Sequence, residues 1–316
     1  MISYLVTGAS GAFGQAFVRR LLERDLADRI VVFSRSESKQ AEMKAALPDE
    51  RVRYLIGDVR DKDRLMDACR GVHTVVHAAA LKRVEVCEAD PNEAVQTNVI
   101  GTGNVARACI ERGVARAVFL STDKAAAPNT LYGATKLNAE RLWLASNVYA
   151  GGLRTRLSAT RYGNVIASTG SVIEVWRKQR ATGEITVTDP TMSRFWMTMD
   201  QAVDLVLLAL REMRGGEVFV PRIQGMGLVD LAHAIAPRCR IKVTGIRPGE
   251  KIHEVLITPD EARRTHDCDS HYVIEPDERP WGNVPPLPFP LVPEGFEYRS
   301  DTAERLAAEQ IKEAAA

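Results

Sequence analysis

The sequence predicts an α/β fold, a doubly wound parallel sheet with a smaller lobe towards the C-terminus. Short apolar runs, each followed by a helical stretch, recur at intervals of roughly 30 residues over the first half of the chain. A glycine-rich turn follows the first of these runs. Polar residues gather directly after the runs, where parallel strands present their carboxyl ends and α/β proteins bind ligands. Beyond residue 163 the alternation loosens, which predicts the smaller lobe.

Composition narrows the range of functions. The chain has 316 residues, 45% of them hydrophobic, enough for a full-sized core. Its net charge of +1 gives no reason to expect nucleic acid or a membrane surface as partner. No apolar run approaches the ~20 residues of a membrane span, and the strand pattern begins at Ile2, which argues against a signal peptide. The five cysteines are scattered without a C-x-x-C pair, so we expect reduced thiols in the cytoplasm, and no metal site.

The predicted domains are discontinuous in sequence. We expect residues 1–163 plus 191–220 to form a dinucleotide-binding domain, and residues 164–190 plus 221–316 to form the substrate lobe. In the lobe, Gly170-Ser171 is expected to open a helix and residues 184–188 to form a short strand. A proline-rich segment at 285–293 reads as an extended strap.

The first turn is a dinucleotide fingerprint. After a strand at 2–7, residues 7–14 read Thr-Gly-x-x-Gly-x-x-Gly, and an amphipathic helix follows to about Arg24. Gly8, Gly11 and Gly14 permit the tight turn and a close approach to a pyrophosphate, while the helix N-terminus supplies donors. The expected sheet is therefore of the Rossmann type.

The end of the second strand favours NADP over NAD. An NAD site normally carries an acidic residue there to bind the ribose hydroxyls. Here the strand at 29–33 is followed by Ser34 and Arg35, with Lys39 a turn later. A guanidinium with neighbouring hydroxyls suits a 2'-phosphate. The alternative is an arginine on a solvated loop.

The next two strands end in residues of mixed interpretation. Asp58 either contacts the adenine or caps the following helix. Residues 78–80 are three alanines, small enough for a cofactor to lie against the backbone, and His77 before them reads as a packed core residue. Lys82 is a candidate for contact with the substrate. Asn98 either bridges to the active-site backbone or makes only a local hydrogen bond.

The fifth strand leads into the predicted catalytic stretch. The apolar run 117–120 gives way at once to Ser121-Thr122-Asp123-Lys124, and after a Pro-Asn break a helix carries Tyr132 and Lys136. Residues four apart share a helix face, and a cationic lysine beside a phenol favours the phenolate. We therefore interpret Tyr132 as a base poised by Lys136. The charged cluster at 246–254 reads, taken alone, as a surface turn.

Together these residues resemble an extended short-chain dehydrogenase/reductase, and more narrowly the configuration-inverting UDP-N-acetylglucosamine 4,6-dehydratases. The resemblance covers essentially the whole chain, including residues 161–165, 194–196 and 246–254. Its most specific feature is Thr122-Asp123-Lys124, because retaining dehydratases are expected to carry Asp-Glu where this chain has Asp-Lys.

The resemblance implies a UDP-linked N-acetylhexosamine beside NADP. Tyr132 would take the proton of the 4-hydroxyl, and Thr122 would hydrogen-bond the sugar. Lys124 would remove the C5 proton, with its pKa lowered by burial beside cations, and Asp123 would protonate the departing 6-hydroxyl with a raised pKa. A homo-oligomer, a dimer or a larger assembly built on the sheet-flanking helices, is also implied.

The site residues fall into three groups. The catalytic residues are Thr122, Asp123, Lys124, Tyr132 and Lys136. The cofactor-binding residues are Gly8, Ser10, Gly11, Ala12, Phe13, Gly14, Ser34, Arg35, Lys39, Asp58, Val59, Ala78, Ala79, Ala80, Asn98, Tyr132 and Lys136. The substrate-binding residues are Lys82, Tyr132, Asn164, Val165, Arg194, Arg247 and Glu250, of which the last three and Asn164 are implied as nucleotide or diphosphate contacts.

Three alternatives stay open. One is an NADP-dependent nucleotide-sugar epimerase or reductase, which needs Tyr132 and Lys136 but no acid/base pair at 123–124. Another is a dehydratase for a different nucleotide-linked hexosamine. The third is a catalytically silent NADP-binding protein, against which the intact Thr-Asp-Lys and Tyr-x-x-x-Lys sets argue.

Overall fold

The computed structural model describes residues 2–151, 154–166, 172–282 and 285–307. The predicted helix start at Gly170-Ser171 lies outside the described residues, and the helix is described from Val172 onward. In chain order the described strands are β1 Ser3–Thr7, β2 Arg29–Ser34, β3 Val52–Ile56, β4 Thr74–His77, β5 Arg116–Leu120, β6 Arg156–Thr160, β7 Asn164–Val165, β8 Glu184–Val187, β9 Ser193–Met197, β10 Val218–Pro221, β11 Gln224–Gly227, β12 Arg240–Val243, β13 Val255–Ile257, β14 Thr265–Asp267, β15 His271–Ile274 and β16 Tyr298–Arg299.

Helices connect most of the strands. The described α-helices are α1 Ala12–Glu23, α2 Glu37–Ala46, α3 Lys62–Ala68, α4 Val84–Ala89, α5 Pro91–Val95, α6 Gly101–Glu111, α7 Leu131–Ala145, α8 Asn147–Ala150, α9 Val172–Gln179, α10 Met199–Glu212, α11 Leu228–Ile235 and α12 Pro259–Ala262. A π-helical turn, Gln96–Ile100, joins α5 to α6, and short 3₁₀ turns occupy Asp123–Ala125 and Arg180–Thr182.

A nine-stranded sheet forms the centre of the molecule, in the order β14-β15-β10-β6-β5-β4-β1-β2-β3. The seven strands from β10 to β3 pair in parallel, while β15 and β14 add antiparallel pairs at one edge. The strand order reverses between β1 and β4, which is where doubly wound sheets bind their ligands. The prediction of a Rossmann-type doubly wound sheet is confirmed.

Both faces of this sheet are buried. Alternate residues of each strand point to opposite faces, so Leu5 and Val75 join the core on one face, and Val6 and Val76 join the core on the other. The first core includes residues of α3, α6 and α7, and the second includes residues of α1 and α10. Strands that are covered on both faces consist of continuous apolar runs. This is why these strands could be identified from the sequence.

The smaller lobe is built from short sheets and its own core. Strands β11, β9 and β7 form one sheet, β12 pairs with β8, and β13 pairs with β16. A separate apolar cluster, which includes Ile173, Trp176, Ile185 and Leu231, fills this lobe.

The chain divides between the two parts differently from the prediction. Strand β9, which we expected in the dinucleotide-binding domain, belongs to a lobe sheet, whereas β14 and β15 extend the large sheet. Strand β15 lies between β10 and the edge strand β14, pairs antiparallel with both and is buried throughout, so it is part of the large core. Antiparallel strands need no crossover helix between them. The alternation of strand and helix that identifies the parallel strands in the sequence is therefore missing for β14 and β15.

The proline-rich segment crosses the edge of the large sheet as an extended strap. Asp267 of β14 donates its backbone amide to Pro290, and the amide of Val292 donates to Thr265. Among the described residues, no helix is both long enough and apolar enough to cross a membrane.

Candidate active site

The glycine-rich turn forms a cradle at the carboxyl end of β1. Gly8 has φ of +69° and lies against the alanine turn after β4: a Cβ at Gly8 would lie 2.8 Å from the backbone nitrogen of Ala79. Gly11 is the N-cap of α1 and offers no side chain to its free amides, so the helix terminus is open to an anion. Ser10 precedes this cap, and Ala12, Phe13 and Gly14 form the first turn of α1. These residues fit the pyrophosphate of a dinucleotide.

The ends of β2 and β3 lie beside this cradle. The guanidinium of Arg35 is half exposed and lies 3.9 Å from the carboxylate of Asp58 and 3.7 Å from that of Glu93. Ser34 accepts a hydrogen bond from Gln40, and the backbone amide of Lys39 donates to the N-cap Ser36.

Asp58 is not a helix cap. It accepts hydrogen bonds from the backbone and side chain of Arg60, whereas Asp61 is the residue that caps α3. The capping alternative for Asp58 is therefore wrong, because the cap needs a residue immediately before the first helical turn. Val59 next to it is buried against Gly101.

The turn after β4 is tied to the catalytic helix by Asn98. Its side chain accepts from the amide of Leu81 at 2.8 Å and donates to the carbonyl of Leu81 and to the hydroxyl of Thr135. Thr135 lies on α7 between Tyr132 and Lys136, so Asn98 makes the predicted bridge to the active-site backbone. Ala78, Ala79 and Ala80 form the partly exposed turn itself, and Lys82 beyond them is exposed.

His77 belongs to the core, as predicted. It is fully buried between the hydroxyls of Thr7 and Thr102, and burial lowers its pKa to about 3, with a further effect of the Lys136 charge. Both ring nitrogens of this neutral imidazole are engaged by threonine hydroxyls, which is the arrangement of a packed core residue.

Tyr132 and Lys136 are both buried on α7, one turn apart. Burial raises the pKa of Tyr132 to about 12, although the Lys124 charge and a hydrogen bond with Thr122 act in the opposite direction. Lys136 donates to the carbonyl of Leu120 at 2.6 Å and lies 3.9 Å from the centroid of the Phe119 ring. Burial lowers the pKa of Lys136 to about 7. The cation that lowers the Tyr132 pKa is thus Lys124, whereas we expected Lys136.

Asp123 and Lys124 form a close pair at the tip of β5. The ammonium of Lys124 lies 3.0 Å from Asp123, which also accepts from the Thr122 hydroxyl at 2.9 Å. Asp123 is 1% exposed, and its second oxygen, Oδ2, has no hydrogen-bond partner. Burial raises the pKa of Asp123, and the charge of Glu254 adds to this effect against the lowering effect of Lys124. The raised pKa agrees with the expectation for a general acid.

The expectation for Lys124 is wrong in direction. Burial would lower its pKa, but the carboxylates of Asp123 and Glu254 outweigh burial and raise it. Glu254 lies 3.2 Å from the ammonium, although it is 130 residues away in the sequence and no local pattern places it there. A nearby cation, Arg194, acts in the expected direction, but it is the weaker influence.

Glu254 and Lys251 were not among the predicted site residues. They belong to the charged 246–254 cluster, in which Arg247 lies on an exposed turn as expected. Glu254, by contrast, is 2% exposed, and Lys251 donates to the carbonyl of Ala126 at 2.6 Å. The sequence feature that could have indicated these two residues is the run of closely spaced charges of both signs after the Pro-Gly turn. A solvated turn does not require so many charged residues.

The remaining predicted substrate residues lie on or next to strands of the smaller lobe. Arg194 is buried on β9 and lies 3.3 Å from Glu250 and 3.8 Å from Glu254. Asn164 and Val165 form β7, which pairs with β9. Glu250 also accepts from the backbone amide of Arg247. The structure thus places Arg194 beside Glu250 and Glu254, of which Glu254 also contacts Lys124, with Arg247 on the exposed turn.

The family described as "Polysaccharide biosynthesis protein" matches residues 4–276. The chain belongs to this family. A relative from Campylobacter jejuni strain 81-176, named UDP-N-acetylglucosamine 4,6-dehydratase (inverting), is 43% identical over 315 residues, which cover 97% of this chain and 94% of the relative. A relative from Rickettsia akari, named UDP-glucose 4-epimerase, is 40% identical over 283 residues, covering 87% and 83%.

Solved structures agree with this family assignment. The X-ray structure of Pen from Bacillus thuringiensis superposes with a TM-score of 0.88 at 35% identity and covers 99% of this chain and 97% of Pen. DesIV from Streptomyces venezuelae, a dTDP-glucose 4,6-dehydratase with NAD and TYD bound, has a TM-score of 0.70 at 24% identity over 79% of this chain and 87% of DesIV, and supports the fold alone. The resemblance to extended short-chain dehydrogenases/reductases is confirmed.

Proposed function

We propose that this protein is a UDP-N-acetylglucosamine 4,6-dehydratase that inverts C5, acting with bound NADP. The product is UDP-2-acetamido-2,6-dideoxy-β-L-arabino-hex-4-ulose. The main support is the ion pair of buried Asp123 with partly exposed Lys124, which lies at the strand tip beside Tyr132 and has no use in a simple oxidation. The two relatives from Campylobacter that carry the name of this activity are 43% and 45% identical to the chain.

The dinucleotide fits the cradle of Gly8 and the open N-terminus of α1, and when bound it supplies hydride acceptance from sugar C4 and hydride return to C6. Tyr132 takes the proton of the 4-hydroxyl as the 4-keto group forms. Its raised pKa in the structure makes the phenolate a strong base, and the Lys124 charge limits the cost of forming it. A hydrogen bond with the hydroxyl of Thr122 orients the phenol of Tyr132.

Asp123 and Lys124 carry the elimination. The 4-keto group acidifies the C5–H bond, but the carboxylates of Asp123 and Glu254 favour the protonated form of Lys124, which must lose a proton before it accepts another. Asp123 accepts from the Lys124 ammonium at 3.0 Å, so transfer of that one proton gives a neutral amine and a neutral carboxylic acid together. The amine then takes the C5 proton, and the acid protonates the 6-hydroxyl, which leaves as water. C5 then regains a solvent-derived proton on the opposite face, which completes the inversion.

Arg35 is the reason to prefer NADP over NAD. Its guanidinium is half exposed at the end of β2. The two carboxylates beside it are 3.7 and 3.9 Å away, too far for strong hydrogen bonds, so a phosphate can take their place as its partner. The smaller lobe, which supplies Arg194 and Glu250, is assigned to the UDP group.

A UDP-hexose 4-epimerase is the second candidate function. The Rickettsia relatives named UDP-glucose 4-epimerase are 37–40% identical to this chain, almost as similar as the dehydratases. An epimerase would use Tyr132 and Lys136 but would release its product with the 6-hydroxyl intact.

A proton NMR time course with UDP-N-acetylglucosamine in deuterated water separates the two functions. A dehydratase produces a C6 methyl signal and deuterium at C5, whereas an epimerase produces neither. We expect Asp123→Asn to lose the methyl signal by roughly 10²-fold or more, since a general acid contributes about 10² to 10⁴ in rate. Lys124→Ala should abolish C5 exchange, while Lys178→Ala, which removes an exposed lysine from α9, should behave as wild type. Unimpaired C5 exchange in Lys124→Ala would refute the assigned base.

We also propose a cytoplasmic homo-oligomer. All five cysteines are unpaired, as is usual in reducing compartments. The helices on one side of the sheet expose large apolar side chains, among them Ile100, Leu142 and Tyr149. Size-exclusion chromatography with light scattering tests the assembly, and a monomer at micromolar concentration would contradict it.

A further inference from the structure

The 247–254 segment reaches across from the lobe and holds the catalytic turn after β5. Lys251 donates to the carbonyl of Ala126, the residue that follows the Asp123–Ala125 turn. A Cβ at Gly249 would lie 3.0 Å from the carbonyl oxygen of Asn129, which shows how closely the segment packs on the loop before α7. The next residue after Ala126, Ala127, has φ of +46°, a conformation that its neighbours must hold in place.

Glu254 ends this segment directly against the catalytic lysine. Its Oε1 lies 3.2 Å from the ammonium of Lys124 and 3.8 Å from Arg194, and its Oε2 lies 3.7 Å from Lys251. Oε2 is buried without a hydrogen-bond partner. Burying a carboxylate to 2% exposure with one oxygen lacking a hydrogen bond costs desolvation free energy. This cost indicates that the negative charge has a role at this position.

We propose that Glu254 is a positioning residue that holds the Lys124 amine against Asp123 and controls how readily this pair exchanges its proton. The inference rests on the proposed function, because it assigns Glu254 a part in the elimination step. Glu254 touches neither sugar nor cofactor in this role and acts only through Lys124.

The charges around Lys124 fix the direction of the effect. The groups that face it are Asp123, Glu254, Arg194, Tyr132 and Lys251. Glu254 favours the protonated forms of both Lys124 and Asp123, so its loss lets both groups give up their protons at lower pH. Lys251 is a cation beside the same groups, and its loss has the opposite effect.

The test is the pH profile of kcat for C6 methyl formation. In Glu254→Gln both limbs of the profile should move to lower pH by about one unit. At a fixed pH on either limb this corresponds to about a tenfold change in kcat, and KM should change less than kcat. Lys251→Met should move the profile to higher pH. Glu254→Asp keeps the charge, so its optimum should stay in place while kcat falls. Glu184→Gln removes a charge paired with Lys242 between β8 and β12, away from Glu254, and should leave the profile unchanged.

A second measurement needs no substrate. Competitive acetylation of Lys124 with acetic anhydride across a pH series, read by peptide mass spectrometry, reports when the amine loses its proton. Labelling in Glu254→Gln should begin at lower pH than in wild type, and in Lys251→Met at higher pH. Unchanged labelling and an unchanged kcat profile in both variants, with wild-type thermal transitions, would overturn the inference. If the wild type makes no methyl product but the labelling shifts as expected, the proposed function fails while the role of Glu254 towards Lys124 stands.

Discussion

Replacing Arg161 should destabilise the protein more than any exposed charge does. Arg161 is 1% exposed and lies between the carboxylates of Glu140 on α7 and Glu261 on α12. It donates to both oxygens of each carboxylate and to the carbonyl of Leu256. Arg161→Met keeps much of the volume but leaves two buried carboxylates without the cation to which they are hydrogen-bonded. Because Glu140 shares its helix with Tyr132, the change also loosens the link between the catalytic helix and the C-terminal part of the chain.

Two independent considerations give the expected loss in the free energy of unfolding. Removing one partner of a buried, hydrogen-bonded ion pair costs about 3–5 kcal/mol. Independently, burial alone would raise the pKa of Glu261, but Arg161, with smaller contributions from the Thr258 amide and Arg264, lowers it from 4.5 to about 2; a shift of this size corresponds to roughly 3 kcal/mol, of which Arg161 supplies the largest part. The folded pKa is depressed, so this stabilisation is present in full above pH 4.5 and is lost as the pH falls towards 2.

Urea unfolding measured at neutral pH and at pH 3 tests this reasoning. At neutral pH we expect the free energy of unfolding of Arg161→Met to be about 3–5 kcal/mol below wild type, with the difference narrowing at pH 3. Glu140→Gln should cost less, because Arg161 keeps its pair with Glu261. Arg70→Met, which breaks an exposed pair with Asp67, should cost under about 1 kcal/mol. A loss in Arg161→Met as small as in Arg70→Met would refute the argument.

Three further outcomes are expected. Arg35→Gln should weaken NADP binding by about tenfold or more while NAD binding changes little, measured by calorimetry on cofactor-free protein, and an equal loss for both would contradict the 2'-phosphate assignment. Gly8→Ala should lower the melting temperature and dinucleotide affinity together, because the added Cβ meets the backbone of Ala79 at a positive φ, whereas wild-type affinity would contradict the cradle. Asn98→Ala should lower kcat, and it should lower the free energy of unfolding by about 1–3 kcal/mol because it removes both hydrogen bonds to the partly buried backbone of Leu81 and the one to Thr135; an unchanged unfolding free energy would argue against the bridge.

Local sequence was sufficient for the elements that repeat. The strand ends at Thr7, Ser34 and His77 follow from apolar runs that stop at polar or small residues, because parallel strands covered on both faces leave this pattern. The Thr122–Lys136 stretch was predicted for the same reason, since its polar residues follow a buried strand without a gap.

Contacts between distant segments were not predictable in this way. Arg161 and Glu261 are 100 residues apart, and neither lies in a pattern that marks it as buried. The Lys124 pKa was predicted in the wrong direction because Glu254 was not placed beside it. Single charges carry no periodicity, and only the packing of the lobe on the sheet decides which of them lose contact with water.

The position of Glu254 has a consequence for how the protein functions as a whole. The catalytic pair lies at residues 123 and 124 on the large sheet, but the carboxylate that governs its charge belongs to a segment between lobe strands. Arg194, assigned to the UDP group, contacts Glu250 and Glu254 on that same segment. A phosphate that draws Arg194 away from these carboxylates leaves Glu254 with fewer cations, which strengthens its hold on the Lys124 ammonium and favours protonated Asp123. Binding of the nucleotide end of the substrate is thereby coupled to the proton state of the acid that acts on its sugar end.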